Sequence, residues 1–322
     1  MSSIVRTVLG DVDVADLGIT YPHEHLILDN ALIEAAFPHI LLDDAEVTAR
    51  EVAECRSVGV TAMVDAMPCA AGRDVLRLVE VSRATGVHVI AVTGLHHPRY
   101  YGPRHWTARV SAEELGSLFA DDVMVGVDEF DYSGPVVRRS PHRAGLIKIA
   151  TGGEALGPRD ELLIEAAAIA HHRSGAPILS HCEHGRGALE QVDALARHGV
   201  PADAVLLSHI DKVLDPGYHA AIAATGAWLL FDQPIRHHRN EVGPTTPLIA
   251  RLVADGHGDR LLVSTDGARR SLWHAYHGAP GLAWLAGEYA EQLRAYGIGA
   301  AVVEDLFTRN PASALTLRAN GV

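Results

Sequence analysis

The stretch "GAPILSHCE" (175–183) decides how the chain is read. A short apolar run enters through Gly-Ala-Pro and stops at Ser-His. Runs of this length bounded by turn residues read as strands buried on both faces. The pattern returns in "AVLLSHI" (204–210), and further runs lie on either side. Upstream are "DLGITYPHEH" (16–25), "GVTAMVDAM" (59–67), "GVHVIAVTG" (86–94) and "AGLIKIATG" (144–152); downstream are "GAWLLFD" (226–232) and "RLLVSTD" (260–266). Between most of them lie stretches of helical period, such as "DDAEVTAREVAECRSVG" from Asp43, "GRDVLRLVEVSRATG" from Gly72 and "RDELLIEAAAIAHHRSG" from Arg159. In the last, His171 and His172 fall at the helix end, where imidazoles favour the dipole. Largely non-alternating strands separated by helices suit a parallel sheet covered on both faces. Eight of them predict an α/β fold, a single TIM (β/α)8 barrel over residues 1–322. An open doubly wound sheet is the alternative. It would prefer a glycine-rich phosphate loop after the first strand, and "TYPHEHL" is not one. Residues of about 95–137 exceed an ordinary connection and predict an extended loop over the barrel mouth, including the helical "SAEELGSLFADDV" (111–123), with a solvent-facing excursion as the alternative.

Composition narrows the function classes. The chain is 48% hydrophobic with no uninterrupted apolar stretch long enough for a membrane span, and its N-terminus lacks a secretory signal pattern. A net charge of -13 argues against nucleic-acid binding. Cys55, Cys69 and Cys182 form neither a CxxC pair nor a disulfide framework, which predicts reduced thiols and a cytoplasmic protein.

"YPHEHLILD" (21–29) places His23 and His25 one residue apart, on one side of a strand. Such a pair is half of a metal site or a polar pair at a barrel mouth. The other strand ends favour the metal. Lys148 lies in the fourth strand, His181 ends the fifth, His209 the sixth and Asp266 the eighth, all at the carboxyl edge where barrel active sites form. Asp232 ends the seventh strand, as an orienting partner for the imidazoles or a loop cap. Lys148 sits among Leu146, Ile147, Ile149 and Ala150, where an unpaired ammonium is costly. A lysine reaching the surface or a buried ion pair would explain it. Beside two cations, a carbamate formed with carbon dioxide explains it better, because its two oxygens can bridge metals.

These motifs resemble the phosphotriesterase-like branch, including its lactonases, of the amidohydrolase superfamily. The likeness rests on "HEHL", "GRD" (72–74), "AGLIKIATG", the two strand-ending "SH" pairs, "STD" and "NPASAL" (310–315), and spans nearly the whole chain. It implies a binuclear metal-dependent hydrolase. His23, His25 and Asp266 would hold the deeper ion, His181 and His209 the more exposed one, and N6-carboxylysine at Lys148 would bridge them. The ions would be zinc, with manganese, cobalt or iron as alternatives, and the assembly a homodimer. A metal-activated hydroxide would attack the substrate, with Asp266 accepting and returning the proton.

The resemblance favours opening of a lactone; a phosphotriester or a carboxylic ester or amide is the alternative substrate. A metal-binding interaction protein without turnover is a further class, which Lys148 and Asp266 together disfavour. Gln233 stands where familiar homoserine-lactone hydrolases carry arginine, and it cannot present a cationic fork. Arg99, Tyr100 and Tyr101 in the third loop, Arg236 and Arg239 after the seventh strand, and Arg269 and Arg270 after the eighth are further substrate-binding candidates. Solvent-facing loop charge is the alternative for each. Such a set favours a compact polar or anionic lactone over a long acyl chain.

Overall fold

The eight apolar runs become eight parallel strands. The computed structural model describes residues 3–318. A short antiparallel hairpin, β1 (Ile4–Thr7) and β2 (Gly10–Asp13), precedes them. The barrel strands are β3 (Ile19–Glu24), β4 (Val60–Asp65), β5 (His88–Gly94), β6 (Ala144–Thr151), β7 (Ile178–Cys182), β8 (Val205–Ser208), β9 (Trp228–Phe231) and β10 (Leu261–Val263), paired in chain order. The seam between β3 and β10 closes through side chains as well as backbone. The Asp266 N–H donates to the His23 carbonyl at 3.0 Å. The Ser264 hydroxyl bridges His23 N and O, and the buried Glu24 carboxylate accepts from Thr265 and Gly267.

The helices start and stop where their residues dictate. After α1 (Ala31–Ala36), α2 (Ala45–Ser57) and α3 (Val75–Thr85) are capped by Asp44 and Asp74, and α3 ends at left-handed Gly86. Next, α4 (Ala112–Met124) opens with a Ser111/Glu114 capping box, and α5 (Pro158–Ser174) has proline in its first turn and left-handed Gly175 after it. The His171 and His172 rings at the end of α5 bond the carbonyls of Ala176 and His198. The remaining helices are α6 (Ala188–Arg197), α7 (Pro216–Ala224), α8 (Thr245–Ala254), α9 (Ala290–Ala295), α10 (Ala300–Phe307) and α11 (Arg309–Ala314). Among the described residues no helix is long and apolar enough to cross a membrane.

Strand period builds the barrel interior in layers. Val64, Val92, Leu146, Leu179, Leu206, Leu230 and Leu262 share the buried inner cluster. Two residues further along the same strands come Lys148, His181, Ser208, Asp232 and Ser264, all buried. The floor of the site is therefore the next layer of the barrel, resting on leucines. Truncating one of these to alanine should cost about 2–5 kcal/mol and loosen what stands on it.

The stretch expected as one long loop divides into three parts. Residues 95–111 fold over the mouth, with the Tyr101 hydroxyl accepting from the His96 N–H at 2.7 Å and donating to the Cys69 carbonyl at 3.1 Å. Helix α4 is an ordinary barrel helix packed on α5. Beyond it the return segment is held by buried Arg73, whose guanidinium lies 3.1 Å from Asp122 and 3.0 Å from Asp131. The "GRD" motif thus acts in the scaffold, with Arg73 clasping α4 and Asp74 capping α3. Asn310 of "NPASAL" likewise donates to the Gly258 and Leu261 carbonyls beside β10.

Candidate active site

A cavity of about 420 Å³ opens at the carboxyl ends of the strands, with His23, His25, His181, His209 and Asp266 in its wall. Lys148 lies beneath, fully buried, its Nζ 3.2 Å from His23 Nε2. Beside it Gly94 has φ +100, and a side chain there would run into the Lys148 backbone. Glycine lets the two strands close on the lysine.

Asp232 sets the orientation of two rings. Its fully buried carboxylate accepts from His23 Nδ1 at 2.8 Å and His209 Nδ1 at 2.8 Å. Both imidazoles thereby present Nε2 to the cavity, the arrangement that second-layer carboxylates impose on metal-binding histidines. Gln233 Nε2 donates to the same carboxylate at 2.6 Å. His209 follows inner-layer Ser208 directly and so breaks the strand period, whereas Asp266 keeps it; both adopt left-handed backbone, with φ of 66° and 46°. Such conformations cost roughly 1–3 kcal/mol each in non-glycine residues and persist where their surroundings hold them. Here the His209 N–H donates to Asp232 at 3.1 Å and the Asp266 N–H to His23.

Asp266 Oδ1 lies 3.3 Å from His25 Nε2 and 3.9 Å from His23 Nε2, while Oδ2 accepts from Arg236 at 2.6 Å. Burial works to raise its carboxyl, but the Arg236 guanidinium and the surrounding imidazoles hold it well below the usual carboxylate range. Burial, reinforced by Lys148, pulls the His23 imidazole down to about 3, so the ring is neutral and free to donate a lone pair. Burial also pulls the Lys148 ammonium down to about 8, which leaves appreciable neutral amine at mild pH.

Two clusters of donor atoms each converge within 4.8 Å: His23, His25 and Asp266, and His23, His209 and Asp232. The buried Nδ1 atoms of His25 and His181 have no hydrogen-bond partner among the described residues. Unpartnered, deeply buried imidazole nitrogens beside neutral rings and a carboxylate fit the nitrogen and oxygen donor set of a divalent transition metal.

The cavity wall takes four of the eight substrate-binding candidates: Arg99, Tyr100, Arg236 and Arg269. The others lie elsewhere. Tyr101 pins its own loop, and Gln233 is buried against Asp232. Arg270 bonds the Leu41 carbonyl and Asp43, and Arg239 is exposed outside the cavity wall. The wall also contains His39, His96, Glu183, His184 and Lys212, which sequence reasoning passed over. One signal was present for Lys212. The chain has only two lysines among its 27 lysines and arginines, and both stand at this site.

Comparison with known proteins agrees with this geometry. The profile of the Phosphotriesterase family matches residues 3–315. A phospho-furanose lactonase of Mycoplasmopsis synoviae is 32% identical over 321 residues, covering 96% of this chain and 91% of that protein. An amidohydrolase from Mycoplasma synoviae superposes with a TM-score of 0.94 at 31% identity, covering 98% of this chain and 93% of its own. A lactonase from Listeria monocytogenes gives 0.89 at 28% identity, covering 98% of this chain and all of its own. With its barrel, its convergent strand-end donors and a family match over nearly its whole length, the chain belongs to the phosphotriesterase family.

Proposed function

We propose that the protein is a binuclear metal-dependent lactonase that opens a compact, anionic lactone, a phosphorylated sugar lactone in particular. The observation that carries this reading is the division of the cavity into a floor of convergent metal donors and a rim of cations. His23, His25 and Asp266 would hold the deeper ion and His181 and His209 the outer one, with carboxylated Lys148 between them. Two divalent cations, zinc by the donor set, would supply Lewis acidity toward the lactone carbonyl and lower the pKa of the attacking water.

The chain's own residues do the rest. Asp232 fixes the rings of His23 and His209. The neutral Lys148 amine would bond through nitrogen to the carbon of carbon dioxide and release one N–H proton to solvent, leaving a two-oxygen anion where the ammonium had stood. Asp266, an ionised carboxylate over the floor, would accept the proton of the attacking water and return it to the ring oxygen as the C–O bond breaks. Its contact with Arg236 keeps it in the acceptor form and holds its second oxygen in place. At the rim, Arg269 and Lys212 have no carboxylate partner among the described residues and are free to meet a substrate anion. Phe37, Ile40, Met67 and Tyr100 give the remaining wall an apolar face suited to a ring.

The relatives named phospho-furanose lactonase support the phosphorylated ring as substrate. The test is a comparison of kcat/KM for sugar-acid lactones with and without phosphate, a long-chain N-acyl homoserine lactone and a neutral phosphotriester. The phosphorylated lactone should lead. A preference for the acyl chain or the triester would overturn the substrate assignment and leave the metal centre to be judged separately.

A further inference from the structure

His181 is, with His25, one of two histidines in the proposed ligand set that Asp232 does not orient. The His181 Nε2 lies 2.7 Å from Glu183 Oε2, and its buried Nδ1 has no partner among the described residues. An ionised carboxylate can only accept, so this contact places the ring proton on Nε2 and leaves Nδ1 as a bare lone pair. The arrangement is the reverse of His23 and His209, which give Nδ1 to a carboxylate and turn Nε2 inward. The same Glu183 oxygen accepts from Arg99 Nη2 at 2.8 Å. Arg99 belongs to the turn Pro98–Tyr100 of the mouth loop, and its Nε reaches His97 Nδ1 at 3.2 Å. Glu183 is largely buried at 16% side-chain exposure, whereas Arg99 is at 42%. One oxygen atom therefore joins a ring of the floor to a loop of the rim.

We propose that Glu183 is a positioning residue that holds His181 with Nδ1 turned into the site and, through the same oxygen, couples the mouth loop to that ring. The inference rests on the ligand set proposed above and adds a residue to it. It also separates Arg99 from the other rim cations. A substrate anion recruiting Arg99 must draw it from Glu183, so Arg99 serves first as the anchor of the loop.

Metal affinity provides a readout apart from activity. In chelator competition with zinc, Glu183→Ala should weaken the outer ion roughly 10–100-fold, as loss of orienting partners does, and leave the deeper ion within about twofold of wild type. Glu183→Gln keeps an acceptor oxygen for His181 and should recover part of the loss. Arg99→Ala should weaken the outer ion less and have no added effect in the Glu183→Ala background, the non-additivity expected of residues sharing one contact. In the metal-free protein, ring ¹⁵N shifts should report His181 protonated on Nε2 in wild type and a mixture of tautomers in Glu183→Ala. The Gln variant, of nearly unchanged shape, carries the zinc measurement if the Ala variant does not fold. Wild-type protein that binds two ions while the Glu183 variants bind both equally well would overturn the inference and leave the lactonase reading standing. Wild-type protein that takes up no second ion would overturn the ligand set and the inference with it.

Discussion

The floor and the rim of the cavity are built by different rules. On the floor, Lys148, His181 and Asp232 occupy the strand positions two residues beyond inner-layer leucines, and each is buried. At the rim, Arg99, Lys212 and Arg269 are exposed, and of the three only Arg99 has a carboxylate partner among the described residues, Glu183, which is distant in the chain. The floor is fixed by backbone pairing that also closes the barrel, so its geometry is as rigid as the fold. The rim can vary without disturbing that geometry. The contrast assigns chemistry to the floor and substrate choice to the rim.

The largest expected effect comes from the floor's most buried cation. Lys148→Ala removes the group placed between the two proposed ions. If it bridges them, the several kcal/mol of charge stabilisation that such a centre supplies corresponds to a fall in kcat/KM of ~10³-fold or more. Wild-type turnover in the variant would break the division at its centre. Asp266→Asn should follow, with kcat lowered ~10²–10⁴-fold, the usual contribution of a general base, and substrate dissociation changed far less. Nearly normal kcat at full metal occupancy would exclude Asp266 as the proton acceptor.

How much of this was legible in the sequence follows the same division. The eight strands, their helices and the strand-end residues were readable because strand period and turn residues are local signals. His23, His25, His181, His209 and Asp266 stood out as candidates by their places near strand ends, and Lys148 as a lysine inside an apolar strand. The left-handed backbone of His209 and Asp266 was not readable, since it depends on Asp232 and on the opposite side of the barrel seam. Rim residues were half legible. A basic residue in a loop gives no sign of whether it meets the cavity, as Arg269 does, or its neighbours, as Arg270 does with Asp43. Glu183 stood inside the quoted stretch and was missed because acidic residues after a strand are common. Only its contact with His181 singles it out.

Smaller effects sharpen the boundary between the two regions. Arg269→Ala and Lys212→Ala should each raise KM for a phosphorylated lactone about 10-fold, the scale of a charge-assisted hydrogen bond, while kcat stays within about twofold. Loss of kcat without change in KM would move those residues from substrate choice into the chemistry. The pH response of Lys148 is the subtlest. Its folded value of about 8 lies below the ordinary 10.5, so the neutral, nucleophilic amine accumulates as pH rises toward 8 and levels off above it. Uptake of ¹³C-labelled carbon dioxide by the metal-free protein, corrected for dissolved carbon dioxide, should follow that curve. A rise continuing to the pH of a solvated lysine would mean the amine is not desolvated.

The most direct measurement is a crystal structure of the metal-loaded protein at a resolution that shows the end of Lys148, with anomalous scattering to locate the ions. The account predicts two ions per chain, one beside His23, His25 and Asp266 and one beside His181 and His209, with carbamate density on Lys148 touching both. A single ion held by His23, His209 and Asp232 above an unmodified Lys148 would contradict it.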